Sequence, residues 1–129
     1  ESEYGGAYFY GTHTLEMMLT IFGYKVKKIN TVGKKSGDVI AIVEYDDGSL
    51  VSIQLNKRGT YSFFVSALGT EKHLAEEIDI SNCYKEGLKV FLNMIKTGKR
   101  PLTNKQMLKP IQLVEAIIRS VETEQEIYL

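Results

Sequence analysis

The sequence is poor in cysteine, in net charge and in long apolar runs, and each shortage excludes something. Its one cysteine, Cys83, rules out an internal disulfide framework and a cysteine-rich zinc site. Sixteen Lys and Arg balance sixteen Asp and Glu. Non-specific nucleic-acid binding needs an excess of positive charge, so nucleic acid is not an expected partner. The longest apolar runs are only a few residues, far below the roughly 20 that a membrane-spanning helix requires. No two of the 11 glycines stand two positions apart, so a dinucleotide-binding G-x-G-x-x-G cannot be present. Gly33-Lys34-Lys35-Ser36 echoes the end of a P-loop. The first glycine of that motif would fall at Lys28, however, and Lys35 stands where Ser or Thr must follow the lysine. A solvated inter-strand loop is the better reading.

What is present fits an ordinary globular domain. Of the 129 residues, 43% are hydrophobic and 25% charged, close to the globular average. A chain of this length buries roughly two-thirds of its unfolded surface, enough for a core without metal or disulfide. The chain opens at Glu1 with no charged and apolar leader and closes on a strand-like Ile127-Tyr128-Leu129. Such ends suggest a piece of a longer protein. The cysteine usage and the missing leader are compatible with the cytoplasm, the expected location.

Hydrophobic spacing divides the chain into helices and strands. Leu15, Met18, Leu19 and Phe22 recur at i, i+3, i+4 and i+7 and predict a helix over residues 11–22, stopped by Gly23. Residues 24–32, 38–45, 49–55 and 60–68 predict a meander of four antiparallel strands, with a hairpin at Asp46-Asp47-Gly48. Val39-Ile40-Ala41-Ile42-Val43 and Phe63-Phe64-Val65 are apolar at consecutive positions, and neighbours in a strand face opposite sides. Both faces of the sheet should therefore be covered, one of them by helices. Residues 72–80 are ambiguous and lean towards a strand. A second helix is expected over 83–97, capped by Ser81 or Asn82 and ended by Gly98. Thr103-Asn104-Lys105-Gln106 reads as a capping box opening a third helix, in which Pro110 should cause a kink or a restart. The fold class is α+β, a mainly antiparallel open sheet with helices packed on one face, in a single domain over 1–129.

Few residues carry chemistry. His73 reads as a surface residue. His13 lies in Tyr8-Phe9-Tyr10-Gly11-Thr12-His13-Thr14-Leu15-Glu16, a run of aromatics around a glycine at a helix start. Imidazole exchanges protons near neutral pH, so His13 is a candidate acid/base. A lone histidine at a helix start is more often a structural hydrogen-bonder, and both readings stand. His13 and Glu16 share a helix face. They would supply two metal ligands, with no third in view, so no metal is expected. Tyrosines such as Tyr8 and Tyr10 can stack on a sugar or a nicotinamide, or simply fill a core.

The order of several features resembles a known family. These are Gly5-Gly6, Gly11-x-His13-x-x-Glu16, the meander with its Asp-Gly turn, Gly69-Thr70-x-Lys72, and a helix ending Met94-Ile95-Lys96-Thr97-Gly98-Lys99. Pro101 follows, then a last helix with Ala116 and Ser120 before a closing strand. Nearly the whole chain resembles the C-terminal domain of the glucose–fructose oxidoreductase / inositol dehydrogenase (Gfo/Idh/MocA) family. The resemblance implies a parent protein whose N-terminal Rossmann domain binds NAD or NADP, with no cofactor held in this chain. It implies a small-molecule substrate, a sugar, cyclitol or similar polyol, and a homo-oligomer formed through the open sheet face. It makes His13 the catalytic acid/base, taking a substrate hydroxyl proton as hydride leaves for the nicotinamide, and places Tyr8, Tyr10 and Glu16 around the substrate. Many members carry an Asp four residues before that histidine, where this chain has Phe9. That departure favours a second hypothesis, a non-catalytic dimerisation or small-ligand-binding module in which His13 is structural.

Overall fold

The structure is a computed structural model and describes residues 11–34, 37–57 and 62–129. The chain forms two compact units, one made of residues 1–59 and 104–129, the other of residues 60–103.

The first unit is a layer of two helices on a sheet. Helix α1 spans Gly11–Phe22, and its buried residues Gly11, Leu15, Met18 and Leu19 form the stripe that the spacing predicts. Gly23 N–H donates to the Leu19 carbonyl and closes the helix. Strands β1 (Val26–Gly33), β2 (Val39–Tyr45) and β3 (Leu50–Leu55) follow as an antiparallel meander. The β2–β3 hairpin turns at Asp46-Asp47-Gly48, where the Asp47 side chain accepts from Ser49 N–H at 2.9 Å. The β1–β2 connection depends on Gly33. Its φ of 137° lies outside the range of L side chains, and a Cβ there would sit 2.2 Å from the Asp38 carbonyl oxygen.

The other helix of this unit and the closing strand come from the end of the chain. The helix spans Asn104–Thr123 and the strand Ile127–Tyr128. The strand pairs antiparallel with β1 and occupies the fourth place in the sheet. Leu15, Leu19, Ile29, Val43, Leu113 and Ile117 are fully buried between sheet and helices. Ser120 is fully buried too, and its hydroxyl donates to the Gln125 carbonyl at 2.7 Å, tying the helix end to the turn before the strand. Of the expected kink or restart at Pro110, the restart does not occur, since one helix runs through that residue. Pro110 is itself buried in the inward stripe, and that apolar burial opposes the lost N–H bond.

Along β2 burial alternates strictly. Val39, Ala41, Val43 and Tyr45 are buried, while Ile40 and Ile42 are exposed. One face of the sheet therefore belongs to the core. The opposite face presents Val32, Ile40, Ile42, Leu50 and Tyr128 to solvent.

The second unit holds a separate hairpin and a helix. Strands β4 (Phe64–Leu68) and β5 (His73–Glu77) pair with each other, not with β3. This corrects the four-stranded meander and confirms the strand reading of residues 72–80. The turn at residues 69–72, closed by Gly69 N–H on the Lys72 carbonyl, is shorter than the link from β3 to β4. Phe64 and Val65 thus belong to this smaller sheet, with Phe63 just before it. Helix α2 spans Cys83–Thr97. Gly98 ends it in the left-handed conformation (φ 66°), with its N–H on the Met94 carbonyl at 2.8 Å. Asn82 precedes α2 but makes no side-chain cap. Its amide meets the Ser81 hydroxyl instead, and the Asp79 side chain accepts from Ser81 N–H. The C-terminal helix is α3 and the closing strand β6 from here on.

Candidate functional site

The site begins with how α1 is held. The pro-Cβ position of Gly11 lies 3.6 Å from Leu55 Cδ1 and 3.7 Å from Val114 Cγ2, so the first turn rests on β3 and α3. Leu15 and Leu19 seat the rest of that stripe in the core. With one face locked, the helical period sends positions 13, 16 and 20 outward. His13 and Glu16 accordingly stand exposed on the solvent side, with side chains 57% and 62% accessible. His13 Nδ1 lies 3.9 Å from Glu16 Oε2, one turn along the helix. The Glu16 carbonyl accepts from Thr20 Oγ1 at 2.7 Å. The structure therefore brings together two of the four residues singled out in the sequence. Tyr8 and Tyr10 lie outside the described residues, as does Phe9.

An exposed imidazole with a carboxylate one turn away has the chemistry of a proton-transfer pair. It is mounted on the outer side of a helix whose inner face is held in the core. Among the described residues no group of three His, Cys, Asp or Glu is arranged to hold a metal ion. Every strand pairing among the described residues is antiparallel, so no βαβ unit aims a helix N-terminus at a pyrophosphate.

A second polar constellation escaped the sequence reading. On the open sheet face, Lys27 Nζ lies 2.6 Å from Glu44 Oε1, and Lys28 Nζ lies 3.4 Å from Glu44 Oε2 and 2.8 Å from Glu126 Oε1. Neighbouring strand residues should point to opposite faces. Here the register shifts between Val26 and Lys28, an irregularity that lets both lysines reach one carboxylate. The Lys28 ammonium also lies 5.9 Å from the centre of the Tyr128 ring. The hydrogen bond from Lys27 holds the Glu44 carboxyl below its ordinary range, and that from Lys28 does the same for Glu126. Both lysines are held above theirs in return, Lys27 by Glu44 and Lys28 chiefly by Glu126. The two adjacent lysines in a strand were the available signal.

No family model and no curated protein matches this sequence. Solved structures do match it. GenD2 from gentamicin A biosynthesis, solved in complex with NAD, superposes over 100% of this chain with a TM-score of 0.81 and 12% identity. Myo-inositol 2-dehydrogenase from Lactobacillus plantarum superposes over 99%, with a TM-score of 0.71 and 10% identity. Aldose-aldose oxidoreductase from Caulobacter crescentus, complexed with glycerol, superposes over 92%, with a TM-score of 0.66 and 14% identity. The chain spans 52%, 50% and 46% of these three proteins respectively, about half of each. The motif order that resembles the Gfo/Idh/MocA family is thus carried on the fold of about half of an oxidoreductase chain of that type.

Proposed function

We propose that this chain is the C-terminal, substrate-binding and oligomerisation domain of an NAD(P)-dependent oxidoreductase that acts on a sugar, cyclitol or similar polyol. The observation that carries the reading is the coincidence of two facts. The fold matches half of several such oxidoreductases over nearly the whole chain, and His13 stands exposed at the start of a helix whose other face is fixed in the core. In this reading His13 accepts the proton of a substrate hydroxyl and returns it in the reverse direction. Tyr8, Tyr10 and Glu16 surround the substrate, the tyrosines offering aromatic faces to a sugar ring. NAD or NADP is held by an N-terminal Rossmann domain outside this chain. The open sheet face with Ile40 and Ile42 mates with another copy. The domain works in the cytoplasm, and no helix among the described residues is long and apolar enough to cross a membrane.

The test is His13→Ala in the longer protein. Turnover of a polyol substrate should fall about 100-fold or more, the usual contribution of a positioned proton-transfer group. The melting temperature should stay close to that of the parent, because the side chain is exposed. Normal turnover in a folded His13→Ala protein would end the catalytic assignment. A lowered melting temperature with activity falling only in step would favour the non-catalytic module.

A further inference from the structure

The open sheet face carries its charges in a particular order. The strands stand as β3-β2-β1-β6, so the midline of the sheet runs between β2 and β1. Register places Leu50, Glu44, Lys28 and Tyr128 in one outward row across all four strands. Ile40 and Val32 are opposite each other on the two central strands, towards the other end of the face. Lys28 and Glu44 are half-buried, and the other four are exposed. Lys28 already meets Glu126 at 2.8 Å and Glu44 at 3.4 Å, and Glu44 meets Lys27 at 2.6 Å. Two lysines and two carboxylates cancel, so covering this end of the face strands no net charge. An ammonium has three donors and a carboxylate about four lone-pair sites, which leaves Lys28 and Glu44 room for one more partner each.

A closed pair of identical chains must place one patch on itself, so that residue i meets j and j meets i. A two-fold axis along the midline, parallel to the strands, lays β2 over β1 of the second copy and β3 over its β6. Glu44 then crosses Lys28 of the second copy, and the same crossing occurs a second time by symmetry. Leu50 falls on Tyr128, and Ile40 on Val32, apolar on apolar. Packed sheets lie about 10 Å apart and turned by about 30°. A lysine and a glutamate reaching from opposite sides span that gap, and the turn displaces the two central strands least. An axis running across the strands does worse. It would lay Lys28 over Val32 and Glu44 over Ile40, which covers charge with apolar surface.

We propose that a second copy of this chain docks on the open face about an axis along the β1–β2 midline, with Lys28 of each copy paired to Glu44 of the other. This rests on the reading of the open face as the mating surface and adds the register and the residues that select it.

Charge exchange tests the register in the chain itself. Lys28→Glu puts two carboxylates together at both crossings, and Glu44→Lys puts two ammonium groups there. Sedimentation should show each variant dimerising about tenfold or more weakly than the unaltered chain. Mixed together, the two variants regain both opposite-charge crossings, although the pair inside each chain stays broken. With one variant isotope-labelled, native mass spectrometry separates mixed from same-variant dimers. Mixed dimers should exceed same-variant dimers about tenfold, where random pairing makes the two equal. The doubly exchanged chain, Lys28→Glu with Glu44→Lys, should dimerise with itself and pair with the unaltered chain about tenfold less. That arm decides the matter even if a single exchange unfolds the sheet. Random pairing in either mixture of folded proteins would overturn the proposal. Ile42→Lys, at an exposed position on the same face, blocks the face in any register. A dimer that Ile42→Lys abolishes, but that mixes at random in the exchange variants, would overturn only the register. An unaltered chain that stays monomeric, or a dimer that survives Ile42→Lys, would overturn the mating face and the register together.

Discussion

Helices α2 and α3 are nearly equal as patterns and opposite as packed objects. Each has a run of apolar residues at helical spacing. In α3 that run, Leu113, Val114, Ile117 and Ile118, is buried. In α2 the corresponding residues, Tyr84, Leu88, Phe91, Leu92 and Ile95, are all exposed, and no residue in the whole of 62–103 is buried. The contrast extends to the sheets. Inward residues of β2 are buried, while β5 is exposed at every position. Amphipathic spacing thus states that a helix has an apolar face and is silent about what meets that face.

Paired substitutions press on this contrast, beginning with the largest effect. Leu113→Ala removes a fully buried side chain and should cost about 2–5 kcal/mol, because a packed core relaxes only in part around the space left behind. Leu92→Ala removes the same atoms from a residue that is 47% exposed. It should cost under about 1 kcal/mol, the range of surface changes. Chemical denaturation of both variants checks the difference. Equal losses would mean that α2 is as well covered in solution as α3, and the contrast between the units would fail.

Glycine gives a pair of opposite sign. Gly33→Ala places a methyl group against the Asp38 carbonyl at a positive φ, and should destabilise the first unit by about 1–3 kcal/mol. Gly87 lies inside α2 with nothing within 4 Å of its would-be Cβ. Gly87→Ala should therefore stabilise α2 by up to about 1 kcal/mol through helix propensity alone. Helicity by circular dichroism during thermal melting reads both. A loss of helicity in Gly87→Ala would show that something packs close to that position.

What the sequence makes legible follows from the range of the forces involved. The bounds of α1 can be read because each of Leu15, Met18, Leu19, Phe22 and Gly23 lies within four residues of the next, and local spacing decides them. The β2–β3 hairpin is legible for the same reason. The partner of β4 is not, because the apolar character of Phe63-Phe64-Val65 suits any sheet and does not say which strand lies beside it. The strand irregularity beside Lys27 is hidden as well, since it concerns pairing between β1 and β2 and not the pattern of either. At the candidate site, the shared face of His13 and Glu16 is a matter of helical arithmetic and could be read directly. The ion pair joining Lys28 to Glu126 could not, because it connects residues 98 positions apart.

The smallest expected effect concerns a single oxygen atom. Tyr45 is 3% exposed, and its hydroxyl is enclosed with no hydrogen-bond partner among the described residues. Burial, with the Asp47 charge adding to it, pushes that hydroxyl up to about 12, so it is neutral across the ordinary pH range. A neutral buried donor without a partner still carries the cost of leaving water. Tyr45→Phe removes the oxygen and keeps the ring, whose centre lies 6.1 Å from that of Phe22. The change should leave stability unaltered or raise it by up to about 1 kcal/mol. Tyr84 in α2 is 91% exposed, and there Tyr→Phe removes a hydroxyl that water already satisfies, so no gain should follow. Melting temperatures of Tyr45→Phe and Tyr84→Phe, measured side by side, test whether the oxygen is orphaned. A clear loss of stability in Tyr45→Phe would mean that the hydroxyl has a partner in solution, most simply a bound water. The first unit would then hold a buried water at the end of β2.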